Sequence, residues 1–419
     1  MKKNSEFKIV PVIACLVTML CVGIEYMWSV FQKPVLGYFS AWNSTAVTMI
    51  SSAMICMFVV GIFVGGILIA KIKARFVVMS GGVLFFLGLF LTSLLPADLP
   101  ESRAWYIYIT YGVIAGTGVG FAYAGAINCV QQWLPHRRGF ATGICVCAFG
   151  LSIVIFSPAA TAMLEVGVPF TFRMFSIIVG TIVFLMSFFL KSPASGYASR
   201  LGVKQLQARD AYSLKEAIRD PRFWFMCSAL FFGTAANMII NPRVKVLAPF
   251  RDISSLQADV TVSLIGVSAA LSRLILPTLS DKVSRSKMIF AMMVVMMLAS
   301  FLMTFAEGFL YTAAIFMIVF AYSGPAGIYP AMAGDAFGMK NMSSIFGLAF
   351  LCIGLSSITF GTLLPNLINP NATKAGLEGY GDYKLIFIIG AVTNVIPMVC
   401  MLVYDKVGKK KDAQRAAIN

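Results

Sequence analysis

The sequence predicts an all-α membrane protein of about twelve transmembrane helices, and three observations carry that prediction. Hydrophobic residues make up 59% of the 419 positions and charged residues only 12%, too little polar material to coat a soluble surface. Uninterrupted apolar runs such as Phe76–Leu95, Met288–Phe305 and Leu385–Val403 are long enough for a hydrocarbon core that takes about 20 helical residues to cross. The short alternating segments of a membrane β-barrel are absent.

Hydropathy places the spans near 9–31, 45–70, 75–95, 104–131, 139–163, 171–191, 222–248, 258–280, 287–306, 308–333, 342–364 and 383–404. The net charge of +16 does not point to nucleic acid, because the basic residues gather in alternate loops. With the N-terminus inside, about 24 Lys and Arg fall in inner loops and about 8 in outer ones. Both termini are therefore expected in the cytoplasm of a multi-pass cell-membrane protein. Met1, Lys2 and Lys3 before an apolar run resemble the start of a signal peptide, but no clean small-residue cleavage site follows, and a retained first helix is expected.

The longest polar stretch, Lys191–Asp220, contains Pro193 and Gly196 and divides the chain. The expected organisation is a six-helix bundle at 1–191, a cytoplasmic linker at 192–220, a second six-helix bundle at 221–404 and a basic cytoplasmic tail at 405–419. Within the linker, Ser213–Asp220 has the pattern of a short amphipathic helix. The halves repeat weakly: Trp133-Leu134-Pro135-His136-Arg137-Arg138-Gly139 leads to Gly143, as Phe337-Gly338-Met339-Lys340 leads to Gly347. Two parallel six-helix repeats with a solute site between them is a known carrier plan.

Several chemistries are excluded by pattern. The nine cysteines are odd in number, lie in apolar spans and read as small buried hydrophobes; Cys145 and Cys147 have only His136 for company. Gly116, Gly118 and Gly120 imitate a nucleotide-binding fingerprint but sit inside an apolar span, where small residues serve close helix packing. With one histidine, no zinc motif, no phosphate loop and no nucleophile elbow, the chain is not read as an enzyme and no cofactor is expected. Gradient-driven transport remains.

Two charges inside spans stand out. Arg273 lies about 12 Å from the inner end of its helix at Asp281. A cation there costs about 2.5–3.5 kcal/mol on insertion scales unless it faces a cavity or a partner. It reads as a guanidinium fork for a substrate carboxylate, against a structural ion pair or a side chain snorkelling to the surface. Glu25, in the outer half of the first span, reads as a proton-coupling carboxylate that pairs with Arg273 when the site is empty, or as a protonated acid that only locks helices together. Tyr26, Tyr123, Tyr322 and Tyr329 supply hydroxyls and aromatic walls, although a single intramembrane Tyr is more often a packing residue. Arg243 and Lys245, after Asn241-Pro242, either draw anions to an entrance or form a solvated helix end, the blander reading being the stronger. Asn43-Ser44-Thr45 and Asn371-Ala372-Thr373 are glycosylation-type triplets too common by chance to carry weight.

The plan and its loop motifs resemble the major facilitator superfamily. The loop signature of that family survives in part as Gly66, Ala70, Lys71, Lys73 and Arg75, with its Asp lost, and again as Asp281-Lys282-Val283-Ser284-Arg285-Ser286-Lys287, with Pro277 for the leading Gly. Nearly end to end, the chain is further similar to the oxalate/formate antiporter family. The stretch Gly116-Thr117-Gly118-Val119-Gly120-Phe121-Ala122-Tyr123 carries that similarity, with Asn128, Trp133-Leu134-Pro135, Arg138-Gly139 and Gly143. Gly23-Ile24-Glu25-Tyr26-Met27-Trp28-Ser29-Val30-Phe31 with Pro34, and Pro221-Arg222-Phe223-Trp224, are also typical. The resemblance implies a substrate-binding role for Arg273, cavity-lining roles for Tyr26, Tyr123 and Tyr322, and gating roles for Asp281, Lys282, Arg285 and Arg138.

Three departures bear on the substrate. Glu25 stands where the oxalate carriers tend to have a neutral amide, Ile353 where they have a second cationic ligand, and Ala326 where they have a further Tyr. If Glu25 is ionised, the formal site charge falls from about +2 to zero, which disfavours a dianion. The resemblance implies a secondary transporter of small organic anions working by antiport or proton symport; the departures from it point to monocarboxylates in preference to oxalate, and a monomer is expected. Export of drugs or amphiphiles by the same fold, and a solute sensor that moves nothing, stand as alternatives. Gly143, Gly150 and Pro158 are too dispersed for the usual export motif, and the linker is short for a signalling domain.

Overall fold

A chain with so few polar residues satisfies its backbone within a bilayer by forming helices, whose hydrogen bonds close inside each segment. The computed structural model describes residues 8–40, 42, 44–194, 196–202, 211–240, 243–247, 251, 253–368 and 380–418, and these are helical almost throughout. Eleven helices among them are long and apolar enough to span, or twelve if the bent pair Ile9–Glu25 and Val30–Tyr38 is one span. Exposed apolar side chains such as Val154, Leu298 and Phe309 would be a liability in water and suit a chain that lies in a bilayer.

The chain forms two compact units. One comprises Met1–Leu214 with Ala333–Leu348, the other Lys215–Met332 with Ala349–Asn419. The main helices of the first unit are α1 (Ile9–Val22), α2 (Trp28–Tyr38), α3 (Ser44–Lys71), α4 (Ala74–Thr92), α5 (Gly116–Trp133), α6 (Arg138–Val166), α7 (Val168–Phe175) and α8 (Thr181–Ser187). The glycine row of α5 is a packing device. A Cβ on Gly120 would lie 2.4 Å from the Phe58 carbonyl oxygen of α3, and one on Gly118 would lie 2.6 Å from the Phe85 nitrogen of α4. Only hydrogen fits where three helix backbones approach so closely.

The second unit is built on α9 (Pro221–Phe232), α10 (Ala235–Ile240), α11 (Ser255–Ser280), α12 (Arg285–Leu302), α13 (Gly308–Ser323), α14 (Pro325–Phe337), α15 (Met342–Ser356), α16 (Tyr380–Val392) and α17 (Val395–Ile418). The helices α14 and α15 pass from one unit to the other, because 333–348 belongs to the first. The expected linker contains two short helices, Tyr197–Arg200 and Leu214–Ile218, and α17 continues through the segment read as a tail.

The Pro221-Arg222-Phe223-Trp224 stretch opens α9 for local reasons. Asp220 caps the helix, accepting from the Arg222 backbone N–H at 2.9 Å, and Pro221 stands where no N–H is needed. The same carboxylate accepts from the Arg222 guanidinium at 3.1 and 3.2 Å, with both side chains almost wholly buried at 1% and 3% exposure. Arg243 and Arg251 also end on backbone carbonyls. Arg243 donates to Ile239 and Gly361 at 2.6 and 3.0 Å, and Arg251 donates to Met303 at 2.8 Å. For Arg243 this gives a structural task at a helix end. Asn241, Pro242, the Lys245 side chain, Asn43 and Asn371–Thr373 lie outside the described residues.

Removing Arg222 strands a buried carboxylate. Arg222→Ala is expected to cost about 3 kcal/mol, since one partner of a buried pair is lost while the other stays buried. Denaturant unfolding in detergent measures it, and Arg222→Met with Asp220→Asn should recover part of the loss.

Candidate functional site

The first predicted span is not a continuous helix. The backbone tightens into a 3₁₀ stretch at Gly23–Met27, and the segments on either side differ in direction by 47°. No proline stands in that stretch. A Cβ on Gly23 would meet the Phe149 carbonyl oxygen at 2.1 Å and Ser152 Cβ at 2.7 Å, so α6 presses directly on the point where the helix gives way. Glu25 sits in the break at 5% exposure, and neither carboxyl oxygen has a hydrogen-bond partner among the described residues. Trp28 Nε1 and Ser152 Oγ nearby are in the same condition, and the Trp28 ring lies 5.1 Å from that of Tyr111. Buried polar groups are normally satisfied, so three such groups around one break mark a place held for something other than packing. The Tyr26 side chain is outside the described residues.

Tyr123 lies elsewhere in this unit, buried in an aromatic cluster. Its ring meets Phe58 of α3 edge-on at 5.3 Å and Phe149 of α6 at 5.5 Å. Phe149 thus joins the two places, through its carbonyl at the Gly23 break and its ring at Tyr123.

In the second unit α11 and α13 are locked in register. Ser268 Oγ donates to the Phe316 carbonyl at 2.7 Å, and Ser272 Oγ to that of Phe320. Arg273 follows Ser272 and Tyr322 follows Phe320 by two, so the cation and the phenol stand at one depth on adjoining helices. Arg273 is half-buried in the body of a 26-residue helix, and Tyr322, Ala326 and Ile353 are half-buried on α13, α14 and α15. Glu25 and Tyr123 belong to one unit and these four to the other. Tyr329, by contrast, is fully packed.

The loop motifs form two charged clusters. Asp281 accepts from Arg285 at 3.1 Å one helical turn away, Ser280 accepts from the same arginine, and Ser284 donates to Asp405 at 2.9 Å. Lys282 is exposed beside them. In the first unit Arg138, at 5% exposure, donates to Asp335 at 2.7 Å. Around that pair the two copies of the weak repeat meet. Asn128 Nδ2 reaches Ser343 Oγ at 3.1 Å, Asn341 Nδ2 reaches the Tyr212 carbonyl at 2.7 Å, and the Tyr212 N–H reaches the Phe337 carbonyl at 3.0 Å. Gly66 and Gly347 allow the approach: added Cβ atoms would lie 2.3 Å from the Ser343 backbone and 2.6 Å from that of Phe63.

Sequence reasoning missed Asp335 and Ser343. Asp335 carried a signal, a lone carboxylate at the end of an apolar span two residues before the repeated loop. Ser343 carried none.

Fold and buried charges together define a polytopic helical carrier. The family model described as Major Facilitator Superfamily matches residues 13–361, and the chain belongs to that superfamily of transporters. It is 27% identical over 397 residues to the oxalate:formate antiporter of Oxalobacter formigenes, covering 92% of this chain and 88% of that one. It is 26% identical over 357 residues to the uncharacterized MFS-type transporter YhjX of Escherichia coli, covering 83% and 85%. Among solved structures, the E. coli fucose:proton symporter superposes with a TM-score of 0.69 at 16% identity, covering 94% of this chain and 98% of the symporter, a likeness of fold.

The clasp at Gly66 is testable. Gly66→Ala is expected to push the 338–348 segment off α3, raising its amide hydrogen exchange about tenfold or more while exchange in the second unit is unchanged. Unaltered exchange at 338–348 would show that the glycine contact does not hold the clasp.

Proposed function

We propose that this protein carries small organic anions across the cell membrane by alternating access, with a monocarboxylate preferred over oxalate. The observation that carries the reading is Arg273, half-buried within α11 at the depth of Tyr322. A guanidinium is always charged and presents a planar fork that matches a carboxylate. Arg273 is the one charged residue of the stretch Val260–Leu279, and an ionisable group within a span is by default a functional position, here one suited to an anionic substrate. The similarity to an oxalate:formate antiporter supports an organic anion.

Preference within that class follows, in this reading, from the residues that stand at the other expected site positions of the second unit. Ile353 adds no second positive charge, so one cation compensates one negative charge. Ala326 leaves room beside Tyr322 for a side group on the substrate. In this reading Tyr26 belongs to the substrate path of the first unit, and Tyr123 stands behind that path in the aromatic cluster with Phe58 and Phe149.

Glu25 is the coupling group in this reading. An ionised carboxylate without a partner would carry several kcal/mol of desolvation cost in its present surroundings. The neutral acid fits there, and the break at Gly23–Met27 gives the group a backbone hinge. Loss and gain of one proton at Glu25 then accompany movement of the anion, as symport or as the proton-linked half of an exchange. Arg138 with Asp335, and Arg285 with Asp281 and Lys282, act as gates on the cytoplasmic side, where both termini lie.

Uptake of labelled pyruvate by proteoliposomes tests the proposal. Wild-type uptake is expected to rise when the outside is made acidic, and Arg273→Ala to lower it by about 100-fold, the loss of one buried charge-assisted contact. Glu25→Gln should keep pyruvate–pyruvate exchange but lose the response to the pH gradient. Excess oxalate should compete poorly in the wild type and better in Ile353→Lys. Full activity in Arg273→Ala, or oxalate outcompeting pyruvate in the wild type, would refute the reading.

A further inference from the structure

The chain passes between the two units three times, after Leu214, after Met332 and after Leu348. Tyr212 stands just before the first passage and is tied to the stretch enclosed by the other two. Its backbone N–H donates to the Phe337 carbonyl at 3.0 Å, and its own carbonyl accepts from Asn341 Nδ2 at 2.7 Å. Phe337 is the last residue of α14 and Asn341 immediately precedes α15, so one linker residue staples both ends of the turn between those helices. Gly338, at φ 85°, allows the chain to turn there. The Tyr212 ring packs edge-on against the Phe337 ring at 5.4 Å, and both residues are buried.

α14 and α15 each divide between the units, with only 333–348 held by the first. In an alternating-access cycle the halves move as bodies, so this stretch must leave the first unit or its two helices must break. The ground beneath the stretch favours leaving. Gln131 is fully buried there; its Nε2 donates to Thr142 at 2.7 Å, but its Oε1 has no partner among the described residues. The backbone of α14 covers that oxygen, since a Cβ on Gly334 would lie 3.4 Å from it. An unserved buried acceptor is a standing cost that water removes once the stretch lifts. Part of what the clasp gains from its bonds is thus returned on release, which leaves the contacts of Tyr212 able to decide the balance.

We propose that Tyr212 is the latch of this clasp: it holds the turn at 337–341 on the first unit and sets how often 333–348 is released. The linker is then a working part of the gate as well as a tether between the halves. Fastened, the latch favours the arrangement closed toward the cytoplasm; undone, it favours the arrangement open to it. A weaker latch shifts these populations and leaves the intrinsic affinity of each arrangement unchanged. That consequence rests on the transport reading, whereas the latch itself rests on the contacts of Tyr212.

Amide hydrogen exchange of the purified full-length protein, read by mass spectrometry, tests the latch without substrate. The Tyr212 amide is expected to be protected in the wild type although it lies in the linker. Asn341→Leu removes the donor to the Tyr212 carbonyl at nearly constant volume. Exchange at 212 and at 337–345 should then rise about fivefold, the loss of one hydrogen bond, with exchange in α12 unchanged. Tyr212→Ala, which loses the ring contact, should raise it as well and serves if Asn341→Leu does not fold. Oriented proteoliposomes separate a latch from a merely structural contact. In either variant the half-saturating pyruvate concentration should rise from the outside and fall from the inside, because the inward-open population grows. Unchanged exchange at 212 and 337–345, or half-saturation moving the same way on both sides, would overturn the proposal. If no anion is carried at all, the transport reading fails and the exchange result still decides the latch.

Discussion

Arg138 holds Asp335 at 2.7 Å, and much of the first unit is arranged so that this contact can exist. A guanidinium withdrawn almost wholly from solvent needs a carboxylate, and the nearest one in space comes from the other half of the sequence. For Asp335 to arrive, the backbones of α3 and α15 must nearly touch, which Gly66 and Gly347 permit. The hydrogen bonds of Asn128 to Ser343, and of Tyr212 to Phe337 and Asn341, then follow from the same approach. Asp335 keeps 46% of its surface exposed, so the pair is half screened and can be made and broken at modest cost. A wholly buried pair such as Asp220–Arg222 has no such freedom and serves as a fixed corner of the second unit.

The break in the first span has the opposite character. A continuous helix would place every polar group of this segment in register with its own backbone. At Gly23–Met27 the chain gives up that regularity under the pressure of the Phe149 carbonyl, and leaves Glu25, Trp28 and Ser152 with polar atoms unserved among the described residues. Membrane proteins tolerate irregular backbone where it is buried in protein or borders a path for solute. The proposed coupling role for Glu25 is one way in which that cost becomes useful.

The second unit handles its polar side chains differently. Serines of α11 spend their hydroxyls on carbonyls of α13, which fixes the rotation of α11 and with it the side from which Arg273 projects. Thr234 and Ser356 bond each other at 2.8 Å and tie the break after α9 to the end of α15. Against this framework the half-buried set of Arg273, Tyr322, Ala326 and Ile353 is where the preference of the proposed carrier is expected to reside.

The sequence by itself determined the helical membrane class, the approximate spans and the intramembrane charges at Glu25 and Arg273. These depend on composition and on the length of apolar runs, which any bilayer reads in the same way. The role of the α5 glycines was also legible, because a small residue in an apolar span has few uses besides close packing. What the tertiary structure decided are the properties that need two distant segments at once. Glu25 lies in a break made by α6 from more than a hundred residues away, Arg138 finds Asp335 across the repeat, and Tyr123 turns into an aromatic cluster. Hydropathy is a one-dimensional sum along the chain, whereas a kink, an ion pair or the facing of a side chain is set by which backbone comes near. That nearness is a property of the packed helices alone.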